Sequence, residues 1–266
     1  MRERIPVVGQ RNVRRRRFAA RGLWTGAEAV VTLGVVLLLL VVHQLWWTNR
    51  QARATAEHQV RALQREWGEP QGQQPEESPG PEDGGGSGQA ASGGRPSGTA
   101  GTSGTDGSRT ASPAPRWDQA YAVLRIPRLG LTAPVAQGIS KRGVLDKGYV
   151  GHYPRTAQPG QVGNFALAGH RNTHGEPFRY INRLRRGDRI AVDTRDAVYT
   201  YTVDRMLGQT GADDSGVIAA VPRSNVKPYT GYSDAGSYVT LTTCTPEFTS
   251  RYRLVVWGKL TGVRAR

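Results

Sequence analysis

The chain has 266 residues, with 36 lysines and arginines against 21 acids, a formal net charge of +15 and a single cysteine. One thiol excludes an internal disulfide framework, and no cysteine or histidine cluster shows the spacing of a zinc site. The positive charge alone would allow a nucleic-acid partner, but the arginines are dispersed through loops and no motif offers a base-stacking platform.

Charge divides the chain in three: net +8 over residues 1–53, −3 over 54–116 and +10 over 117–266. The first part holds Arg2, Arg4, Arg11, Arg14 to Arg17 and Arg21, followed by an almost wholly apolar run over residues 29–42. Trp24 lies before that run, and Trp46 and Trp47 after it. As a helix, residues 24–47 extend about 36 Å, enough to cross a hydrocarbon core of about 30 Å. Tryptophan suits both interfaces, and the arginine excess ahead of the span predicts a cytoplasmic tail at 1–23 with the remainder exported. A cleaved signal peptide, for which Ala52-Arg53-Ala54 is weakly suited, is a second reading, and a twin-arginine signal at Arg15-Arg16-Arg17-Phe18 is a third. All three put the C-terminal part outside the cytoplasm.

Residues 51–67 carry helix formers with few apolar side chains and read as a short surface helix near the membrane. Residues 68–116 are rich in Gly, Pro, Ser and Gln, as in Gly84-Gly-Gly-Ser-Gly. Such a segment cannot bury enough apolar surface to order itself. It predicts a disordered linker of root-mean-square span on the order of 40 Å. Residues 48–116 are therefore a juxtamembrane segment and linker.

From Trp117 the pattern changes to short strands separated by turn signals. Strands are predicted at 120–126, 134–136, 164–168, 189–194, 198–204, 217–219, 238–243 and 253–260. Residues 177–184 supply the clearest helical turn. Many short strands at this spacing predict an all-β barrel or sandwich in one domain, 117–266.

Cys244 ends the run Tyr238-Val-Thr-Leu-Thr-Thr-Cys244, a β-branched stretch stopped by Pro246. Alternation puts Tyr238, Thr240, Thr242 and Cys244 on one face. The thiol is thus presented at a strand exit, where it is either inert or a nucleophile. A nucleophilic thiol needs a base or a positive charge beside it. His43 lies in the span and His58 just beyond it, which leaves His152, His170 and His174. His170 closes Leu167-Ala-Gly-His170-Arg171, a second strand exit. His152 and His174 read as ordinary loop histidines.

The pair Leu167-Ala-Gly-His170-Arg171 and Thr240-Leu-Thr-Thr-Cys244-Thr-Pro, with Arg253-Leu-Val-Val beyond, resembles the sortases. Those are membrane-anchored cysteine transpeptidases of Gram-positive bacteria. The resemblance covers 117–266 together with the anchor and linker. Ile126-Pro-Arg-Leu-Gly-Leu131 and Gly151-His-Tyr-Pro-Arg-Thr-Ala-Gln-Pro-Gly160 are most similar to class E of actinobacteria. The resemblance implies an eight-stranded sortase β-barrel with short helices. It implies Cys244 as nucleophile, His170 as general acid and base, and Arg253 as the arginine at substrate and oxyanion. Arg251 competes with Arg253, since on a strand the two would share a face. Thr243 and Tyr153 are further substrate-binding candidates, the tyrosine at a position linked in class E to the second residue of the signal.

The implied reaction cuts an L-P-x-T-G or L-A-x-T-G sorting signal between Thr and Gly through a thioester. It then passes the acyl group to a peptidoglycan precursor or cross-bridge amine. The implied partners are secreted proteins bearing C-terminal sorting signals, with the catalytic domain extracellular at the cell membrane. No metal and no cofactor are expected, and no nucleic acid. Neither an acidic calcium cluster of the class A kind nor the Asp-Pro-aromatic lid of class C occurs in the sequence. The rival reading is a non-catalytic, cell-wall-binding β-domain on a membrane tether, binding anionic polymer through its basic surface.

Overall fold

The computed structural model describes residues 11–68 and 115–266. The first ten residues of the basic tail, and residues 69–114 of the expected linker, lie outside the described residues.

Eight strands close into a barrel: β1 (Ala120–Ile126), β2 (Leu131–Gln137), β3 (Val150–His152), β4 (Gly163–Ala168), β5 (Arg189–Asp193), β6 (Ala197–Gly211), β7 (Ser237–Thr245) and β8 (Tyr252–Ala265). Their order around the barrel is β1-β2-β3-β4-β7-β8-β6-β5. Only β2–β3 and β4–β7 pair in parallel. Closure leaves no free edge. Short 3-10 turns at Pro127–Leu129, Leu145–Lys147, Ile181–Arg183 and Ser215–Ile218 complete the architecture. The expected all-β barrel with short helices is therefore what forms.

Alternation along the strands fills the interior. Leu124, Phe165, Leu167, Val239, Leu241 and Val256 are almost wholly buried there. The opposite face of β7 and β8 is covered too. Tyr238, Val255 and Trp257 pack beneath Val217 and Tyr232. Val217 was expected in a strand but sits in the 3-10 turn Ser215–Ile218, where its carbonyl accepts the Trp257 Nε1–H at 3.0 Å. A three-residue apolar run cannot distinguish strand from turn by period alone. Residues 177–184 form successive hydrogen-bonded turns that end in the 3-10 turn Ile181–Arg183. β3, only three residues and containing Gly151, gave no sequence signal.

The helix α1 (Arg11–Gly68) runs without a break from the basic tail through the apolar stretch to the domain. Among the described residues it is the one helix long and apolar enough to cross a membrane, and its apolar window is fully exposed. Residues 51–67 are thus neither separate from the span nor free on the surface. Ala52, Ala56, Val60 and Leu63 recur at helical spacing, and Ala56, Val60 and Leu63 bury one stripe against Ala120, Val123, Ala136, Val144 and Tyr149. This stripe covers the outer face of β1 and β2, which would otherwise be wet.

Candidate active site

β7 delivers Cys244 to its C-terminal end, where the thiol is free and half-buried. β8 runs antiparallel beside it with Arg253 directly opposite Cys244. Opposed residues in an antiparallel pair have Cβ atoms about 4.5–5.5 Å apart on one face, so the guanidinium stem starts next to the sulfur. Arg253 Nη1 donates to the Ser250 carbonyl at 2.8 Å and to its neighbour Tyr252's carbonyl at 3.0 Å. Arg251 stands one residue outside β8, exposed, with its guanidinium 5.2 Å from the Tyr252 ring centroid.

On the other side of β7, β4 runs parallel with Ala168 level with Thr242. The Gly169 N–H continues that ladder to the Thr242 carbonyl at 3.2 Å. His170 follows Gly169 directly, two residues past the Ala168–Thr242 pair, as Cys244 is on β7. Gly169 is required for this approach, because a Cβ there would stand 2.7 Å from the Phe178 ring. Phe178 in turn donates its N–H to the His170 carbonyl at 3.0 Å, fixing the backbone of the histidine. Thus three neighbouring strands, in the order β4-β7-β8, present His170, Cys244 and Arg253 at one end of the barrel.

His170 Nε2 lies 2.9 Å from Asp146 Oδ1. Asp146 belongs to the 3-10 turn Leu145–Lys147. This bond occupies Nε2. Burial pushes the imidazole below its ordinary value. Asp146 pulls it back up, by its hydrogen bond and its charge, while His174 and Lys141 add to the lowering. His174 lies over His170 with ring centroids 5.3 Å apart, and its Nδ1 is 3.7 Å from the same Asp146 oxygen. Among the described residues, Asp146, His170 and His174 form the grouping that could hold a metal ion, with ligand atoms within 4.8 Å of one another.

Tyr153 sits on the face of β7 that carries Cys244. Its hydroxyl is 3.1 Å from Thr242 Oγ1, which donates to the Leu167 carbonyl at 3.0 Å. Thr242 precedes Cys244 by one step on that face. Thr243 does not. It lies on the interior face with Val239 and Leu241, and its hydroxyl donates to the Gly169 carbonyl at 2.8 Å. Its contact supports the histidine strand from below instead of shaping a groove. His152 is wholly buried. Its Nδ1 is 2.9 Å from the Tyr121 hydroxyl, its Nε2 is 3.1 Å from the Ala157 carbonyl, and burial lowers its pKa to about 4. It is a core histidine.

Two contributors have no sequence signature of their own. Asp146 precedes His170 by 24 residues, and only the fold joins them. Arg171 is quoted above only as part of the histidine motif. Its buried guanidinium donates to the Cys244 carbonyl at 3.2 Å and to Thr245 Oγ1 at 2.8 Å, pinning the strand end that carries the thiol. An arginine directly after a strand-exit histidine was the one available hint.

Residues 124–261 match the family model described as the Sortase domain. The chain is 39% identical over 267 residues to Sortase SrtE1 of Streptomyces coelicolor, an alignment covering 98% of this chain and 64% of that protein, so it spans just under two thirds of that relative's length. Sortase SrtE2 of the same organism is 30% identical, with 97% of this chain and 89% of that protein aligned. The crystal structure of Sortase E1 from Streptomyces coelicolor, with a tripeptide in its active site, superposes with a TM-score of 0.53 at 49% identity, over 57% of this chain and 94% of that one. Sortase E from Streptomyces avermitilis gives 0.50 at 38% identity, over 56% and 93%. With the family model matched over more than half of its length and two Streptomyces relatives aligned almost end to end, the chain belongs to the sortase family of transpeptidases, on its class E side.

Proposed function

We propose that this chain is a membrane-anchored cysteine transpeptidase that cuts a sorting signal of the L-A-x-T-G or L-P-x-T-G type between Thr and Gly. Residues 24–47 hold it in the membrane with 1–23 cytoplasmic, and 117–266, outside, carries the three reacting groups. The observation that supports this reading is the register that sets Cys244 opposite Arg253, with His170 two residues past the last β4–β7 pair at the same end of the barrel.

In the first half-reaction Cys244 Sγ bonds to the Thr carbonyl carbon while its proton passes to His170. Arg253 faces the oxygen that gains charge, where a guanidinium that never deprotonates is of most use. The C–N bond then breaks, and the imidazolium returns the proton to the leaving Gly amine. In the second half an amine attacks the thioester, His170 takes its proton, and the thiolate leaves and is reprotonated. The acyl group ends on a peptidoglycan precursor or cross-bridge amine. Tyr153, whose hydroxyl bonds to Thr242, meets the second residue of the signal in this reading.

The test is incubation of the full chain in detergent with Leu-Ala-x-Thr-Gly and Leu-Pro-x-Thr-Gly peptides plus a glycine-terminated amine, read by mass spectrometry. Thr–Gly cleavage with capture of the amine is expected. Intact peptides, together with slow labelling of Cys244 by a thiol reagent, would favour the cell-wall-binding reading instead.

The state of His170 gives a signed pH effect. Asp146 is what raises this imidazole against burial. In Asp146→Asn the raising charge is gone and the lowering influences of burial, His174 and Lys141 remain. The limb of the kcat/KM profile that belongs to His170 therefore moves to lower pH. A limb that stays in place or moves to higher pH would remove Asp146 from this role.

A further inference from the structure

Immediately after the apolar stretch, α1 touches the two loops that hold His170. The side chain of Asn49 accepts the Gly175 N–H at 2.6 Å. Arg53 Nε donates to the Gly175 carbonyl at 3.3 Å, and its Nη2 reaches Glu176 Oε2 at 3.1 Å. Glu176 is nearly buried and also accepts Arg179 Nη1 at 2.7 Å. On the second loop, Gly148 lies so close to the helix that a Cβ there would stand 2.8 Å from the Ala52 carbonyl oxygen. Gly148 is two residues beyond Asp146, and Gly175 directly follows His174. Both of those side chains contact His170. His174 and Glu176 hold left-handed backbone at φ 52° and 54°, a conformation that persists in ordinary residues only where the surroundings impose it.

We propose that Asn49 and Arg53 are positioning residues for the catalytic histidine, and that the juxtamembrane turn of α1 clamps the loops of Asp146 and His174 around it. This rests on the reading of His170 as the proton carrier. The clamp acts at one remove. It fixes Gly175 and Gly148, these fix His174 and Asp146, and those set the orientation and charge environment of the ring. The groups that face His170 are Asp146, His174 and Lys141, and the helix supplies none of them directly. It holds the two loops that carry Asp146 and His174. The membrane anchor is by this account part of the active-site scaffold, and its docking also sets the reacting end of the barrel beside the helix segment that leaves the bilayer. The stripe from Ala56 to Leu63 gives the helix its grip further along, so the clamp can be loosened without detaching the helix.

The test uses the full chain in detergent micelles, with the peptide and amine assay above. Asn49→Ala with Arg53→Ala should lower kcat about tenfold, the scale expected when a reacting group is held slightly off its geometry. KM should change little, because neither residue lines the approach to Cys244. Arg53→Lys, which keeps the charge for Glu176, should fall between the two. Both side chains hold the loop of His174, whose charge lowers the His170 pKa, so the His170 limb of the pH profile should move to higher pH, opposite to Asp146→Asn. An unchanged kcat in a folded protein would overturn the proposal. So would a loss of turnover that merely tracks the fraction unfolded in a thermal melt. Turnover surviving in Cys244→Ala would instead sink the assignment of the reaction itself, and leave the clamp without an object.

Discussion

Cys244→Ala should abolish thioester formation and peptide turnover together, with no residual acyl-enzyme by mass spectrometry. No other thiol exists in the chain to substitute for it. His170→Ala should reduce turnover by about 10²–10⁴-fold, the usual contribution of a positioned acid–base group. Among the described residues, His170 is the titratable side chain that directly follows the end of β4. The neighbouring histidines separate chemistry from architecture. His174→Ala keeps both the thiol and its proton acceptor, and should retain acyl transfer at a reduced rate. His152→Ala removes a wholly buried ring that fills space between Tyr121 and Phe165. It should cost about 2–4 kcal/mol of stability, seen as a lower melting temperature, while the folded fraction still turns over. If His152→Ala abolished turnover in a protein that remained folded, or His170→Ala spared it, the assignment of the proton carrier would be wrong.

Which parts of this site can be read from sequence follows from how far each depends on contacts between distant residues. β1 and the end of β7 were legible because β-branched runs and Pro246 act locally. The same-face set Tyr238, Thr240, Thr242 and Cys244 follows from the period of two alone. That alternation also puts Thr243 on the opposite face, yet its place beside the cysteine made it look like a pocket residue. Its hydroxyl instead holds the Gly169 carbonyl. Asp146 was illegible because a carboxylate in a loop has no pattern, and its partner lies in another strand connection. The grip of α1 was illegible for a different reason. Two alanines, a valine and a leucine spread over 12 residues amid charge do not look like a buried face until a complementary surface is present.

Arg253 is where sequence left two candidates, and its replacement is the sharper test of the oxyanion role. Arg251 and Arg253 would share a face if both lay on one strand. β8 begins at Tyr252, so Arg251 leaves the ladder and rests over the Tyr252 ring in solvent. Arg253 is in the ladder, opposite Cys244. Arg253→Lys keeps the charge but replaces a planar fork with a point charge on a flexible stem. The guanidinium can keep its Ser250 and Tyr252 carbonyl contacts through Nη1 and still offer further N–H groups to a developing oxyanion. An ammonium held by the same carbonyls has far less to offer. Losing one such donor costs about 10²–10³ in kcat, and Arg253→Lys should lose at least that, with a smaller change in KM. Arg251→Ala should stay within about tenfold, since an exposed cation stacked on a ring contributes about 1 kcal/mol. Equal losses at the two positions, measured as kcat on the same peptide, would transfer the oxyanion role away from the β8 register and onto the loop that precedes it.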